Sequence, residues 1–231
     1  MGQSQESAYV PALRFRQLTR FYDTVVRLTT RERTFKRALI RQASIAPGHN
    51  VLDLGCGTGT LALSIKGACS SAKVVGVDAD AAVLALAVRK ARQAGLSVQF
   101  DRAMAYRLPY PDARFDRVVS SLFFHHLSRD AKTSAMREIH RVLKPGGEAH
   151  VADWGRAANG IMRALFVPIQ FLDGFANTQD NVCGRLWGLL EVSGFAPVSQ
   201  RRTFSTMFGT MALYSATKPQ PSWTSGGQRS S

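Results

Sequence analysis

Residues 50–63, NVLDLGCGTGTLAL, constrain the fold of this chain more than any other stretch. A short apolar run contains Asp53 and is followed at once by Gly55, Gly57 and Gly59, before an apolar helical pattern begins. This order predicts a strand, a tight turn and a helix start, where free backbone N–H groups and the absence of Cβ atoms favour a bound ligand. Because open α/β sheets bind ligands at the carboxyl ends of their strands, we expect a ligand-binding crevice at this loop.

Two kinds of cofactor use such a loop. The dinucleotide pattern G-x-G-x-x-G/A fits only if Ala62 takes the third place. The pattern Asp-x-Gly-x-Gly-x-Gly over residues 53–59 fits better and resembles motif I of the class I methyltransferases that use S-adenosylmethionine (AdoMet). A carboxylate in the loop would repel a pyrophosphate, whereas AdoMet carries none. We therefore predict AdoMet as the cofactor.

Composition limits the class of protein. The chain has 231 residues, 45% hydrophobic and 20% charged, which suits one globular domain of ordinary size. No run of about 18 apolar residues or secretory signal is present, and three cysteines without a C-x-x-C pair indicate reduced thiols and no zinc site. We accordingly predict a cytoplasmic protein without a metal. The net charge of +14 could attract nucleic acid, anionic lipid or an acidic substrate, or it could reflect a proteome rich in arginine.

Apolar strand patterns alternate with helical patterns along most of the chain. This alternation predicts an α/β fold, a Rossmann-like doubly wound and mostly parallel seven-stranded sheet with a C-terminal antiparallel hairpin. The predicted strands are residues 51–54, 73–77, 98–102, 115–120, 148–153, 200–204 and 208–217. The predicted organisation is a helical arm or cap (1–45), an AdoMet-binding domain (46–217) with an apolar insert over the substrate (154–180), and a disordered tail (218–231).

Asp78 lies 19 positions beyond Gly59, at the end of the second predicted strand. An acidic residue there can accept hydrogen bonds from both ribose hydroxyls of a nicotinamide cofactor or of AdoMet. Asp80 is the better helix cap, so Asp78 is the predicted ribose ligand and Ala79 the residue beside it. Cys56 lies inside the glycine loop, where we interpret it as a small buried residue that lines the cofactor rather than a nucleophile.

The motifs DLGCGTG, GVDAD, LPYPDARFDRVV, HHL and LKPGG, in this order and spacing, resemble the family of the ubiquinone/menaquinone C-methyltransferases over residues 15 to 153. The resemblance implies that N-terminal helices fold over the cofactor, with Tyr22 near its methionine end. Where the family commonly has Gly-Asp-Ala, this chain has Ala103-Met104-Ala105. Met104 can pack on the adenine through its thioether, and the backbone of Ala105 could reach the ring. We do not expect Asp101 to bind adenine.

Residues of the fourth and fifth predicted strands complete the candidate site. Ser120, at the end of the fourth strand, is a further predicted cofactor contact. His125 and His126 follow that strand, and either could act as a general base near neutral pH, with His125 favoured; a structural role is the alternative. Asp153 ends the fifth strand and could contact a cationic or hydroxyl group of the substrate.

The apolar residues of the predicted cap, 13–35 and 154–180, favour a small lipophilic or aromatic acceptor, methylated on oxygen, nitrogen or carbon. The insert could instead lie on a membrane surface, or form a packing helix or a homodimer face. A methyltransferase acting on RNA or protein is the second hypothesis, although no aromatic platform for nucleic acid is visible, and a non-catalytic AdoMet-binding accessory protein is the third.

Overall fold

The computed structural model describes residues 32–221, and strands alternate with helices in it as the sequence predicts. The strands are β1 (Asn50–Leu54), β2 (Lys73–Asp78), β3 (Gln99–Arg102), β4 (Phe115–Ser121), β5 (Leu143–Trp154), β6 (Val198–Thr206) and β7 (Gly209–Thr217). The α-helices are α1 (Glu32–Ala43), α2 (Thr60–Ala68), α3 (Ala81–Gln93), α4 (Arg129–Val142), α5 (Gly160–Leu165), α6 (Val167–Asp173), α7 (Phe175–Val182) and α8 (Leu186–Val192). One 3₁₀ helix, Phe124–His126, follows β4.

The described strands form one seven-stranded sheet in the order β3-β2-β1-β4-β5-β7-β6. The first five strands pair in parallel, and β7 pairs antiparallel with both β5 and β6. The predicted fold class is therefore confirmed, including the C-terminal hairpin. Because β1 and β4 are neighbours at the centre, the loops that follow them open at the same edge of the sheet.

Helices cover both faces of the sheet, and each face carries its own hydrophobic core. On one face, α1 and α2 bury their apolar side chains together with Trp154 and Phe166; on the other, α4 and α8 do so. The fully buried side chains that anchor these helices are Phe35, Leu39, Leu61, Ile65, Met136, Ile139, Leu186 and Leu190. Burying each such side chain contributes roughly 1.5–3 kcal/mol, which holds the central strands and the loops after them in place.

Two local predictions are wrong. The Lys-Pro-Gly-Gly stretch was expected to precede a strand starting at Glu148, but β5 begins at Leu143 and pairs there with Phe115 across an irregular register. The apolar pattern of residues 181–193 predicts a single helix, but α7 ends at Val182 and α8 begins at Leu186. The predicted disorder of the tail (218–231) stays a prediction, since residues 222–231 lie outside the described residues; at its first residue, the backbone N–H of Lys218 donates to Gly147 O at 2.9 Å.

Residues 155–185, here called the cap segment, carry the three short helices α5 to α7. Charged side chains anchor it to α4: the guanidinium of Arg129 pairs with the buried carboxylate of Asp180, and Lys132 Nζ lies 3.8 Å from that carboxylate. Lys132 also donates to the backbone carbonyls of Leu127 and Asn177. The predicted apolar insert is thus fixed over the His125 region. Most of the N-terminal part of the predicted cap, residues 13–31, lies outside the described residues, as does Tyr22.

Candidate active site

The glycine loop between β1 and α2 uses backbone conformations with positive φ, which glycine adopts without strain. Gly55 and Gly57 both have positive φ, +67° and +52°. A Cβ on Gly55 would lie 2.2 Å from the Phe123 ring, whereas a Cβ on Gly57 would meet nothing within 4 Å. Gly55 is therefore required for packing against the loop after β4. Gly57 leaves its backbone facing open space that a ligand can fill.

Asp53, at the end of β1, is buried with one carboxylate oxygen engaged. Oδ2 accepts a hydrogen bond from Ala62 N at 2.9 Å, which joins the strand to α2. Oδ1 has no hydrogen-bond partner among the described residues. Burial raises the pKa of Asp53 to about 7, against the opposing charge of Lys36. An unpaired buried oxygen beside the loop fits a cationic group such as the ammonium of AdoMet.

Asp78, at the end of β2, holds the same loop from the other side. Its Oδ2 accepts a hydrogen bond from Gly57 N at 2.9 Å, and its Oδ1 accepts one from Asp80 N at 3.0 Å. Burial raises the pKa of the Asp78 carboxyl, although these two N–H donors oppose the shift. Each oxygen keeps lone pairs that can accept from ribose hydroxyls, so the donor set fits the predicted role. The neighbouring Ala79 carbonyl accepts from Arg102 Nε.

Cys56 and Ser120 lie in the walls of the crevice rather than in open space. Cys56 is buried, and burial raises the pKa of its thiol, which disfavours a nucleophilic thiolate. Ser120 is buried as well, and its hydroxyl donates to Leu54 O at 2.8 Å, linking β4 to β1. Contacts of these two residues with the cofactor stay predictions; the burial of Cys56 and the hydrogen bond of Ser120 assign both a structural part.

The predicted adenine region follows β3. Met104 is 37% exposed, whereas the adjacent Ala105 is buried. Asp101 already accepts hydrogen bonds from the Tyr110 hydroxyl and the Gln99 amide, both at 2.8 Å. Met104 therefore has an accessible thioether for ring packing, while Asp101 is engaged elsewhere. The adenine assignments to Met104 and Ala105 remain predictions.

Asp153 organises the loop after β4 from the end of β5. Its Oδ2 accepts from the backbone N–H groups of Phe123 and Phe124, at 3.2 and 2.7 Å, and thereby caps the 3₁₀ helix. Its Oδ1 lies 2.7 Å from His125 Nδ1 and accepts from Trp154 N at 2.7 Å. The sequence suggested a substrate contact for Asp153, but this carboxylate is fully buried and engaged with protein donors. In the structure, the Asp153 carboxylate orients the His125 ring.

The two histidines form a compact pair with a residue of the cap segment. Their ring centroids lie 4.0 Å apart, and the Asp173 carboxylate lies 3.6 Å from His125 Nε2 and 3.4 Å from His126 Nδ1. Burial lowers the pKa of His125, but Asp153 and Asp173 outweigh that effect and raise it. Burial and the neighbouring His125 charge lower the pKa of His126. His125 is thus the stronger base of the pair.

Sequence reasoning missed Asp173. It is the only acidic residue in the apolar stretch 160–175, and an isolated acid there was a signal that could have been used. Within residues 32–221, its carboxylate and the nitrogens of His125 and His126 lie within 4.8 Å of one another, a spacing that could hold a metal ion. The expectation of a protein without a metal stays a prediction.

Phe123 joins the two halves of the candidate site. Its ring fills the space beside Gly55 in the cofactor loop, and its backbone N–H binds the carboxylate that orients His125. The imidazole pair and the glycine loop are therefore adjacent at the edge of the sheet. Such a pairing of a cofactor loop with a buried, carboxylate-held imidazole can bring a cofactor and a proton-accepting group to one reacting molecule.

Comparison with known proteins agrees with this geometry. A family profile described as "Methyltransferase domain" matches residues 51–147. The chain is 32% identical over 168 residues to a demethylmenaquinone methyltransferase of Deinococcus radiodurans, covering 72% of this chain and 69% of that protein. It is 37% identical over 154 residues to a demethylmenaquinone methyltransferase of Thermus thermophilus, covering 66% and 69%.

A solved structure has the same fold at low identity. It is Haemonchus contortus phosphoethanolamine N-methyltransferase 2 in complex with phosphomonomethylethanolamine and S-adenosylhomocysteine, with a TM-score of 0.66, 17% identity and coverage of 81% of this chain and 53% of that chain. This likeness shows the fold, and the family profile and the two relatives, together with the glycine loop and Asp78, show the predicted class of enzyme and its cofactor. The chain belongs to the class I AdoMet-dependent methyltransferases, of the ubiquinone/menaquinone C-methyltransferase type.

Proposed function

We propose that this enzyme transfers the methyl group of AdoMet to a small lipophilic aromatic acceptor of the hydroquinone kind. The observation that carries the proposal is the buried His125–Asp153 pair, which adjoins the cofactor loop beneath an apolar cap segment. A hydroquinone hydroxyl must lose its proton before the ring becomes strongly nucleophilic, and a carboxylate-held imidazole suits that task. The relatives named for demethylmenaquinone support the same class of acceptor.

Each residue has a distinct part in this proposal. Asp53 and the Gly57 backbone would hold the amino-acid end of AdoMet, and Asp78 its ribose. The sulfonium of bound AdoMet makes its methyl group electrophilic without further activation. The protein therefore mainly aligns the acceptor and excludes water, and alignment of this kind supplies roughly 7–11 kcal/mol of the barrier. His125 Nε2 would accept the hydroxyl proton, adding roughly 10²–10⁴-fold.

The proposal is tested with the full chain, AdoMet and a naphthohydroquinone that bears a short isoprenoid chain. We expect S-adenosylhomocysteine and the singly methylated naphthohydroquinone in equal amounts by mass spectrometry. NMR of the product distinguishes carbon from oxygen methylation, both of which the proposal allows. Asp78→Asn should reduce AdoMet binding and turnover together. If the chain binds AdoMet but methylates only RNA or protein substrates, or nothing at all, the acceptor class proposed here is wrong.

Peripheral contact with a membrane is a second part of the proposal. Phe171 and Leu172 on α6 are 74% and 80% exposed, and Ile161 on α5 is 69% exposed. Side chains of this kind insert into a lipid interface, and the net charge of +14 favours anionic lipid. Among residues 32–221, no helix combines the length and hydrophobicity needed to cross a bilayer. Contact at the interface would bring the enzyme to a lipophilic acceptor.

Sedimentation with vesicles tests this contact. The full chain should pellet with vesicles that contain phosphatidylglycerol and should bind less to pure phosphatidylcholine. Replacing Phe171 and Leu172 by serine should weaken binding, whereas a control double change of exposed neutral residues, Gln93→Ser with Gln179→Ser, should weaken it less. Equal binding by both variants would contradict the assignment. A concentration-dependent dimer that the Phe171/Leu172 variant abolishes would assign the face to a second copy instead.

A further inference from the structure

Two histidines and one aspartate meet where the cap segment contacts the 3₁₀ helix after β4. Within residues 32–221, one ligand atom from each of His125, His126 and Asp173 lies within 4.8 Å of the others. His125 Nε2 lies 3.6 Å from one Asp173 carboxylate oxygen, and His126 Nδ1 lies 3.4 Å from the other. Zinc bonds of about 2.0–2.1 Å at tetrahedral angles separate ligand atoms by about 3.3–3.4 Å. These two separations are therefore close to those of a metal site.

The His125 ring is already oriented as a metal ligand. Its Nδ1 lies 2.7 Å from Asp153 Oδ1, an oxygen that also accepts a hydrogen bond from Trp154 N at 2.7 Å. Because an ionised carboxylate only accepts, Nδ1 carries the proton and the lone pair of Nε2 points toward Asp173. Histidines that bind metals generally donate the proton of their second nitrogen to a carboxylate or a carbonyl in this way. The chain thus supplies an outer partner as well as three ligand atoms.

Charge and access both suit a small cation at this cluster. The carboxylates of Asp153 and Asp173 lie on two sides of the His125 ring. The ammonium of Lys132 opposes a cation from α4, but it donates to two backbone carbonyls of its own. The side chains of His126 and Asp173 are 15% and 20% exposed, whereas that of His125 is 4% exposed. An ion can therefore enter from the side of His126 and Asp173.

We propose that His125, His126 and Asp173 form a binding site for a divalent transition-metal ion such as Zn²⁺, contrary to the expectation from the sequence. Zinc accepts imidazole and carboxylate ligands, and three protein ligands leave a fourth position for water. A bound ion occupies the lone pair of His125 Nε2, so the ring cannot accept a proton from the methyl acceptor at the same time. Metal binding therefore inhibits methyl transfer. This consequence alone rests on the proposed use of His125 as the base.

Zinc binding is measured on the full chain, freed of metal with EDTA and then dialysed, by competition with a chromophoric chelator. We expect one Zn²⁺ per chain and, after Co²⁺ substitution, the visible absorption of a tetrahedral site. His126→Ala and Asp173→Asn should each weaken binding by at least about tenfold, since loss of even an outer partner costs roughly 10–100-fold. Cys183→Ser and Asp130→Asn remove an exposed thiol and an exposed carboxylate outside the cluster, and they should retain the wild-type affinity. Thermal unfolding and AdoMet binding establish that each variant is folded.

Inhibition is measured as S-adenosylhomocysteine formation with the naphthohydroquinone substrate at increasing Zn²⁺. Turnover of the wild type should fall in proportion to bound Zn²⁺ and recover with EDTA, and the same concentrations should inhibit Asp173→Asn less. Unchanged or faster turnover at full occupancy would overturn the inhibitory role.

Other outcomes would overturn the site itself. They are the absence of stoichiometric Zn²⁺ binding by the wild type, and an equal loss of affinity in Cys183→Ser, which would place the ion elsewhere. If the metal-free chain does not methylate the naphthohydroquinone, the proposed function fails, while the zinc stoichiometry of the variants still decides the metal site.

Discussion

Replacing Asp53 by asparagine should raise the free energy of unfolding relative to the wild type, without cofactor, more at pH 8 than at pH 5. The folded-state pKa of Asp53 is raised from 3.8 to about 7, chiefly by burial. The stability that comes from this raised pKa is fully present below pH 3.8 and is lost as the pH rises to about 7. From pH 5 to pH 8 the loss covers about two pH units, or about 3 kcal/mol. An asparagine amide does not titrate, so the Asp53→Asn variant escapes that loss.

Urea denaturation of the wild type and Asp53→Asn at both pH values measures this effect, because changes at other groups cancel in the comparison. The advantage of Asp53→Asn over the wild type should grow by about 3 kcal/mol between pH 5 and pH 8. Asp130→Asn, which removes an exposed carboxylate, should show no such growth. A pH-independent difference would mean that Asp53 is already ionised at pH 5, and the reasoning would fail. AdoMet affinity of the wild type should rise with pH through about 7, since the ionised Asp53 attracts an ammonium group.

Four further substitutions test other parts of the site. His125→Ala should slow turnover roughly 10²–10⁴-fold while AdoMet binding by calorimetry is retained, and unchanged turnover would remove the base assignment. Asp180→Ala leaves the fully buried Lys132 without its carboxylate and should cost about 3–5 kcal/mol in urea denaturation; a cost under about 1 kcal/mol would mean that the pair does not anchor the cap. Gly55→Ala would place a Cβ 2.2 Å from a phenyl ring and should destabilise the fold, whereas Gly57→Ala should chiefly weaken AdoMet binding; the reverse order would contradict the assignments of the two glycines.

Much of the fold followed from local sequence. Buried strands of a parallel sheet are continuous apolar runs, and the KVVGV run before Asp78 predicted β2 almost to the residue. Asp80 was predicted to cap the next helix, and its carboxylate accepts from Ala82 N at 2.7 Å. The errors lie where pairing partners outweigh local signals. Pro145, Gly146 and Gly147 suggest a turn, yet the chain from Leu143 onward pairs with β4 as a strand with an irregular register.

The cofactor half of the candidate site was visible in sequence because its residues are close together along the chain. Asp53 and the glycines share one loop, and Asp78 ends the neighbouring strand. The histidine half was only partly visible. His125 and Asp153 were both singled out, but their 2.7 Å contact joins the ends of β4 and β5 and depends on their pairing in the sheet.

By itself, the sequence determined the order of strands and helices, the parallel sheet and the cofactor, because spacing and residue type express these within short windows. Only the tertiary structure decided that Asp153 is enclosed as the partner of His125 and that Asp173 returns to the same imidazole from the cap segment. Asp173 lies 48 positions after His125, and its approach depends on how three short helices pack and on the Arg129–Asp180 anchor. Contacts between segments so far apart are set by packing and charge pairing, which no local pattern records.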